Sequence, residues 1–213
     1  YKVYFIHRKK LSRPNGSCIF ASLAGFTYDR RRFSYRWQNS RSSRLVTPMS
    51  GQIFLLGDDI NTDQLAPGRF MHNGIKVLSA HCLEQVRPGF AVDVRPGDLI
   101  VAGQNFGAGS SREQAAGALC HLGLAAVIAK SFAGIFYRNA INLGLPALVA
   151  TDTSAITDAM KADLDIENAQ LHLETKNIVE LERLPKNLAD ILSAGGLVPF
   201  LKARFVDEKR KIL

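Results

Sequence analysis

The sequence predicts an α/β fold. Short apolar runs alternate with helix-forming stretches between residues 99 and 150, and further on two strand-like runs flank a Thr-Lys turn. The alternation points to a βαβ-type core, and the paired runs add a hairpin. Roughly 165 residues, from 49 to 213, suffice to bury such a core without metal or disulfide.

The elements follow in order. Residues 52–56, Gln-Ile-Phe-Leu-Leu, read as the first strand. The loop behind it carries Asp58, Asp59 and Asp63, carboxylates that repel one another unless a cation or a hydrogen-bond donor sits near. Asn61 or Thr62 in that loop suits a helix cap. Leu99, Ile100, Val101 and Ala102 form a buried strand after the Pro96-Gly97-Asp98 turn. Gly103, Gly107 and Gly109 lead to a helix that begins near Ser111, with Ser110 or Ser111 as N-cap and Ala115, Ala116, Ala118 and Leu119 as helix formers. Residues 125–129 read as a strand, and 132–142 as a helix whose core face is Ile135, Phe136 and Ala140. A strand follows over 147–150, set off by Gly144 and Pro146. Beyond it a helix is expected over 153–161, hairpin strands over 170–174 and 177–181, and a last helix from 188 that ends at Gly195-Gly196.

Charge is spread unevenly. The net charge is +8, yet residues 1–48 hold 11 Lys or Arg against the single acid Asp29, leaving 16 against 18 for residues 49–213. The basicity belongs to a leader, and the body is slightly acidic, so nucleic acid is not its expected partner. The leader holds Trp37 and Arg30-Arg31-Arg32, and Met49 stands directly before the first strand. Residues 1–48 are expected to be disordered or not native. They read first as upstream sequence translated in error, with a transit peptide or an RNA-binding arm as the other two readings. Cys18, Cys82 and Cys120 are too few for a disulfide framework and form no Cys-x-x-Cys pair, which fits a reducing, cytoplasmic setting, or an organellar matrix or stroma if the leader is a transit peptide. His81 and Cys82 are adjacent but lack further ligands at metal spacing, and Cys120 is expected to pack as a small apolar residue. No apolar stretch is long enough to span a membrane.

The chemistry concentrates in Asn105-Phe106-Gly107-Ala108-Gly109-Ser110-Ser111-Arg112-Glu113, two hydroxyls and a guanidinium at a helix start. Unpaired N–H groups and the positive end of the helix dipole stabilise an anion there. Arg112 adds a bidentate clamp for a carboxylate. The glycine spacing matches neither a dinucleotide fingerprint nor a phosphate loop, and a Ser-capped turn without chemistry fits the local pattern equally well. Lys130, Tyr137 and Arg138 are expected first to be solvated or paired within the chain, with a face towards a partner subunit or a phosphate-like group as the other reading, and without a catalytic role.

Three separated motifs carry a resemblance: the run from Gly57 to Phe70 with Asn61-Thr62-Asp63, the run from Asn105 to Glu113, and the run from Ala129 to Pro146 that opens Ala129-Lys130-Ser131-Phe132-Ala133-Gly134. In this order they resemble the small subunits of isopropylmalate isomerase and homoaconitase, equivalent to the swivelling domain of aconitase. The resemblance spans about residues 51–203 and implies one swivel-type β/β/α domain with a mixed sheet over 49–213. It also implies a hydro-lyase that isomerises a hydroxy acid by dehydration and rehydration, with a four-iron four-sulfur cluster in a large partner subunit and none in this chain. The two subunits would form a heterodimer or heterotetramer. Ser110 matches the family's catalytic base, and Asp63 the acid that pairs with a histidine of the partner. Ser111, Arg112 and Thr62 match substrate-binding positions, and Met71, His72 and Asn73 occupy the segment that selects the substrate. Two positions depart from the family pattern, Gln114 where histidine is usual and Gly134 where arginine is usual. Met49 is where family members would start, which favours the mistranslated reading of the leader. Isopropylmalate isomerisation in leucine biosynthesis is the leading substrate reading. Homoaconitase, a 2,3-dimethylmalate dehydratase and a non-catalytic carboxylate- or RNA-binding module are the alternatives.

Overall fold

The computed structural model describes residues 49–212, with side chains over 50–205. The expectations for residues 1–48, including Trp37 and Cys18, lie outside the described residues.

Seven strands form one curled mixed sheet, β1 Met49–Leu55, β2 Leu99–Ala102, β3 Ala126–Ala129, β4 Ala147–Val149, β5 Lys161–Asp165, β6 Gln170–Leu173 and β7 Ile178–Glu180. Their order is β4-β3-β2-β1-β5-β6-β7. The β1–β4 half is parallel, and β5, β6 and β7 pair antiparallel from the other edge of β1. Helices connect the parallel strands. Between β1 and β2 come α1 Thr62–Leu65, a 3₁₀ turn Gly68–Asn73, α2 Ile75–Ala80 and α3 Phe90–Asp93. Then α4 Glu113–Leu122 precedes β3, α5 Gly134–Asn142 precedes β4, and α6 Lys186–Ser193 and α7 Leu197–Ile212 close the described chain.

Alternation along the parallel strands feeds two cores. Phe54, Ile100, Ala102, Val127 and Ala129 pack with Leu119, Ala116 and Phe136 under the helices. Ile53, Leu99, Val101, Ala126 and Ile128 pack on the opposite face with Ile156, Met160, Leu164, Leu171 and Val179. Both faces of β2 and β3 are buried, which explains their uninterrupted apolar sequences. The mixed α/β sheet and the hairpin are as the sequence predicts.

Several local expectations are corrected. The helix expected over 153–161 is absent: residues 153–160 form turns and irregular backbone, and Lys161 opens β5. Asp152 takes the Ser154 N–H at 2.9 Å, and Asp158 takes that of Leu55 at 2.9 Å. Side-chain acceptors of this kind compete with helical bonding. Ala159 donates to the Ile53 carbonyl, and Ile53 to that of Met160, so the segment borders β1 before β5 begins at Lys161. Ile135 is 48% exposed and leaves the core face to Phe136 and Ala140. The helix ending before Gly195-Gly196 begins at Lys186, after Pro185, and a further helix, α7, follows. Pro199 lies in the first turn of α7, where its missing N–H would be unbonded anyway.

Candidate active site

The loops leaving β1, β2 and β3 extend the parallel pairing beyond the strands. Thr62 N donates to the Ala108 carbonyl at 2.7 Å, Gly107 N to Ile60 at 2.6 Å, and Phe106 N to Ser131 at 2.9 Å. The motif loops are therefore stitched together at the carboxyl edge of the parallel strands, where open α/β sheets bind ligands.

Two glycines let them approach. At Gly107, with φ +80°, a Cβ would lie 2.2 Å from the Phe136 ring; at Gly109, with φ +108°, one would lie 2.8 Å from Thr62 Oγ1. Any larger residue would lift the serine loop off its support.

The three carboxylates of the first loop each find a donor. Asp58 accepts from Gln104 N at 2.7 Å, Asp59 from Asn105 Nδ2 at 2.8 Å, and Asp63 from Arg112 Nη1. The repulsion predicted from sequence is relieved by the glycine loop itself. Asp63 stands in the first turn of α1, whose cap is Asn61, one of the two caps expected; Gln64 completes a reciprocal capping box.

Ser110 is exposed, and Thr62, 1% exposed, lies against it. Ser110 N donates to Thr62 Oγ1 at 3.0 Å, and the two hydroxyl oxygens are 3.4 Å apart. Ser110 and Ser111 are not the cap of the following helix. That helix, α4, starts at Glu113 with Arg112 as N-cap and no side-chain capping bond. Thr62 holds the Ser110 backbone to the first loop, so neither serine side chain turns back on the helix. The first-turn N–H groups of α4 keep their attraction for an anion.

Arg112 is one-quarter exposed and makes both of its contacts through Nη1, to Asp63 and, at 3.4 Å, to the Ala66 carbonyl. The 3₁₀ turn starts beside this pair, since a Cβ on Gly68 would lie 3.8 Å from Arg112 Nη2. Along that turn Met71 is half-buried against the helical-face core, while His72 and Asn73 are exposed. The structure thus brings Thr62, Asp63, Ser110 and Arg112 together and sets the Met71 segment on the turn that begins next to them.

Other candidates fall elsewhere. Tyr137 and Arg138 line a cleft of about 240 Å³ with Ile141 and Leu188, between α5 and α6. Burial, with Glu182 nearby, raises the Tyr137 phenol above its ordinary value. Burial also raises the Cys82 thiol and pushes that of Cys120 up to about 12, so neither is a thiolate at neutral pH. Among the described residues no three His, Cys, Asp or Glu side chains converge as a metal would require, and no helix is long and apolar enough to cross a membrane. Sequence reasoning missed the linkage of Arg69, Phe70, His81 and Glu84 around the 3₁₀ turn. The His81-x-x-Glu84 spacing was its one sequence signal.

Comparison with known proteins fits this geometry. The aconitase C-terminal domain family matches residues 86–152, from before α3 to just past β4. The 3-isopropylmalate dehydratase small subunit 2 of Archaeoglobus fulgidus is 46% identical over 157 residues, covering 72% of this chain and 94% of that protein. The methanogen homoaconitase small subunit of Methanocaldococcus jannaschii is 42% identical over 165 residues, covering 76% and 96%. A crystal structure of 3-isopropylmalate dehydratase from M. jannaschii superposes with a TM-score of 0.73 at 40% identity, covering 76% of this chain and 98% of that one. The chain belongs to the family of 3-isopropylmalate dehydratase and homoaconitase small subunits, components of aconitase-type hydro-lyases that work with a large subunit.

Proposed function

We propose that this chain is the small subunit of a 3-isopropylmalate dehydratase and that Ser110 is its catalytic base. The observation that carries this is the convergence of Ser110, Thr62, Asp63 and Arg112 before the start of α4.

A serine removes a proton from carbon only as its alkoxide, which needs strong positive potential to persist once the hydroxyl proton has passed to solvent. The uncapped N-terminus of α4 supplies that potential, joined by the Arg112 guanidinium once Asp63 turns from it to the large subunit. As the alkoxide, Ser110 Oγ takes the proton from the carbon next to a substrate carboxylate, becoming the neutral hydroxyl, and returns that proton in the rehydration half-reaction. Arg112, anchored through Nη1, offers Nη2 and Nε to that carboxylate, and the exposed Ser111 is its neighbour in sequence. Thr62 fixes the serine backbone from below. Asp63 sits at the rim, 66% exposed, where it can exchange Arg112 for a histidine of the large subunit. Lewis acidity for the departing hydroxyl would come from an iron–sulfur cluster held by the large subunit.

Relatives of both substrate classes stand at similar identity, 46% for an isopropylmalate enzyme and 42% for a homoaconitase, so identity does not separate them. The 3₁₀ turn favours isopropylmalate. Met71 offers apolar surface, and Arg69, the arginine on that turn, is already neutralised by Glu84. An additional substrate carboxylate would need an uncommitted cation there.

The test is co-expression with the cluster-bearing large subunit of the same organism and anaerobic assay on 3-isopropylmalate, homocitrate and 2,3-dimethylmalate. Turnover of 3-isopropylmalate is expected. Turnover of homocitrate alone would move the chain to homoaconitase, and failure to assemble with an intact large subunit would favour a binding module.

A further inference from the structure

A second cluster braces the turn that carries Met71, His72 and Asn73. The Glu84 carboxylate ion-pairs with Arg69 and accepts a hydrogen bond from His81 Nδ1 at 2.6 Å. The imidazole is the donor, because an ionised carboxylate only accepts. The His81 ring lies parallel to Phe70 with centroids 3.7 Å apart, and the Arg69 guanidinium stands 4.7 Å from the same ring centroid. Three interactions thus converge on two consecutive residues of the turn. The hydrogen bond from His81, and after it the charge of Arg69, hold the Glu84 carboxyl below its ordinary range.

The turn needs this support. A 3₁₀ helix has poorer hydrogen-bond geometry than an α-helix, and this one has no side-chain cap at Pro67. The segment 81–84 also reaches the catalytic half of the site. Leu83, at φ +58°, donates its N–H at 2.8 Å to the carbonyl of Gln64, the residue that follows Asp63 and closes the capping box of α1. Left-handed backbone is unusual for leucine. One short segment therefore ties the turn to the helix that carries Asp63.

We infer that Arg69, Phe70, His81 and Glu84 form a positioning device that sets the turn Gly68–Asn73 against the substrate's γ-substituent and thereby governs selectivity for that group. None of the four touches the reacting atoms. Exposed ion pairs add little stability, so the brace acts through placement. The inference rests on the reading of residues 71–73 as the specificity segment.

The test uses the assembled two-subunit enzyme, with 3-isopropylmalate as substrate and malate as competitive inhibitor. Malate shares the hydroxydicarboxylate head and lacks the isopropyl group. Glu84→Ala and His81→Ala are expected to raise KM for 3-isopropylmalate roughly tenfold, the scale of a lost apolar pocket contact. In both, kcat is expected to stay within about twofold and the inhibition constant of malate to stay unchanged. Glu84→Gln, which keeps an acceptor for His81, is expected to restore most of KM, and His81→Phe, which keeps the stack, part of it. Parallel weakening of malate and 3-isopropylmalate, or no change in either, would overturn the inference. Met71→Ala separates the two layers. If it shifts KM while Glu84→Ala does not, the brace is wrong and the specificity segment stands; if Met71→Ala leaves KM untouched, both fall.

Discussion

The parallel and antiparallel halves of the sheet are buried differently. In β2 and β3 every residue is buried, held between helices on one face and the curled hairpin on the other. In β5 and β6 only alternate residues are buried, and the turns that follow them carry exposed polar residues, Glu167 and Asn168 before β6, Thr175 and Lys176 before β7. The candidate site grows entirely from the parallel half. Strands clamped on both faces have no freedom to shift register, so the loops that leave them are set closely enough for a buried threonine to hold a serine backbone at 3.0 Å.

This contrast can be broken most severely at Gly107. Gly107→Ala places a methyl against Phe136 in backbone that disfavours it, and should destabilise the chain by about 3 kcal/mol. The measurement is the urea midpoint, and an unchanged midpoint would mean that the loop is not clamped to α5. Thr62→Val comes next. It keeps the shape, removes the acceptor of Ser110 N, and should cost about 1 kcal/mol of stability while lowering kcat roughly tenfold. A loss of stability with full kcat would reduce Thr62 to a structural residue.

The smallest effect lies where the halves meet. Arg87 makes a two-bond ion pair with Asp158, which also accepts from Leu55 N, and its guanidinium covers Phe54. Arg87→Ala should cost about 1 kcal/mol at neutral pH. The Asp158 carboxyl is held below its ordinary value of 3.8 in the fold, first by the Arg87 hydrogen bond. Its contribution is therefore fully present above that value and is lost as pH falls below it. Urea melts at several pH values should find the difference between wild type and Arg87→Ala vanishing in acid. A difference that persisted there would assign the effect to the contact with Phe54.

Where physics is local, the sequence was readable. The β2, β3 and β4 runs, the hairpin and α4 follow from hydrophobic pattern and helix formers within a few residues of chain. The segment 153–161 was not readable as turns, because what rules out a helix there is the edge of β1, roughly a hundred residues away, taking Asp158, Ala159 and Met160 as partners. Capping was misassigned for a similar reason. A serine before a helix is a cap by local rules, yet Thr62, 48 residues earlier, holds Ser110 to another loop. The motif run already named Ser110, Arg112 and Asp63. It left out that Arg112 and Asp63 pair with each other, and that Glu84 reaches back 15 residues to Arg69.

The most direct test of the central claim is Ser110→Ala in the assembled, cluster-loaded enzyme, with kcat on 3-isopropylmalate and subunit association measured side by side. The account predicts a fall in kcat on the order of 10³ with association unchanged, the loss typical of removing a group that acts in the transition state. Activity within about tenfold of wild type would contradict the assignment of Ser110 as the base.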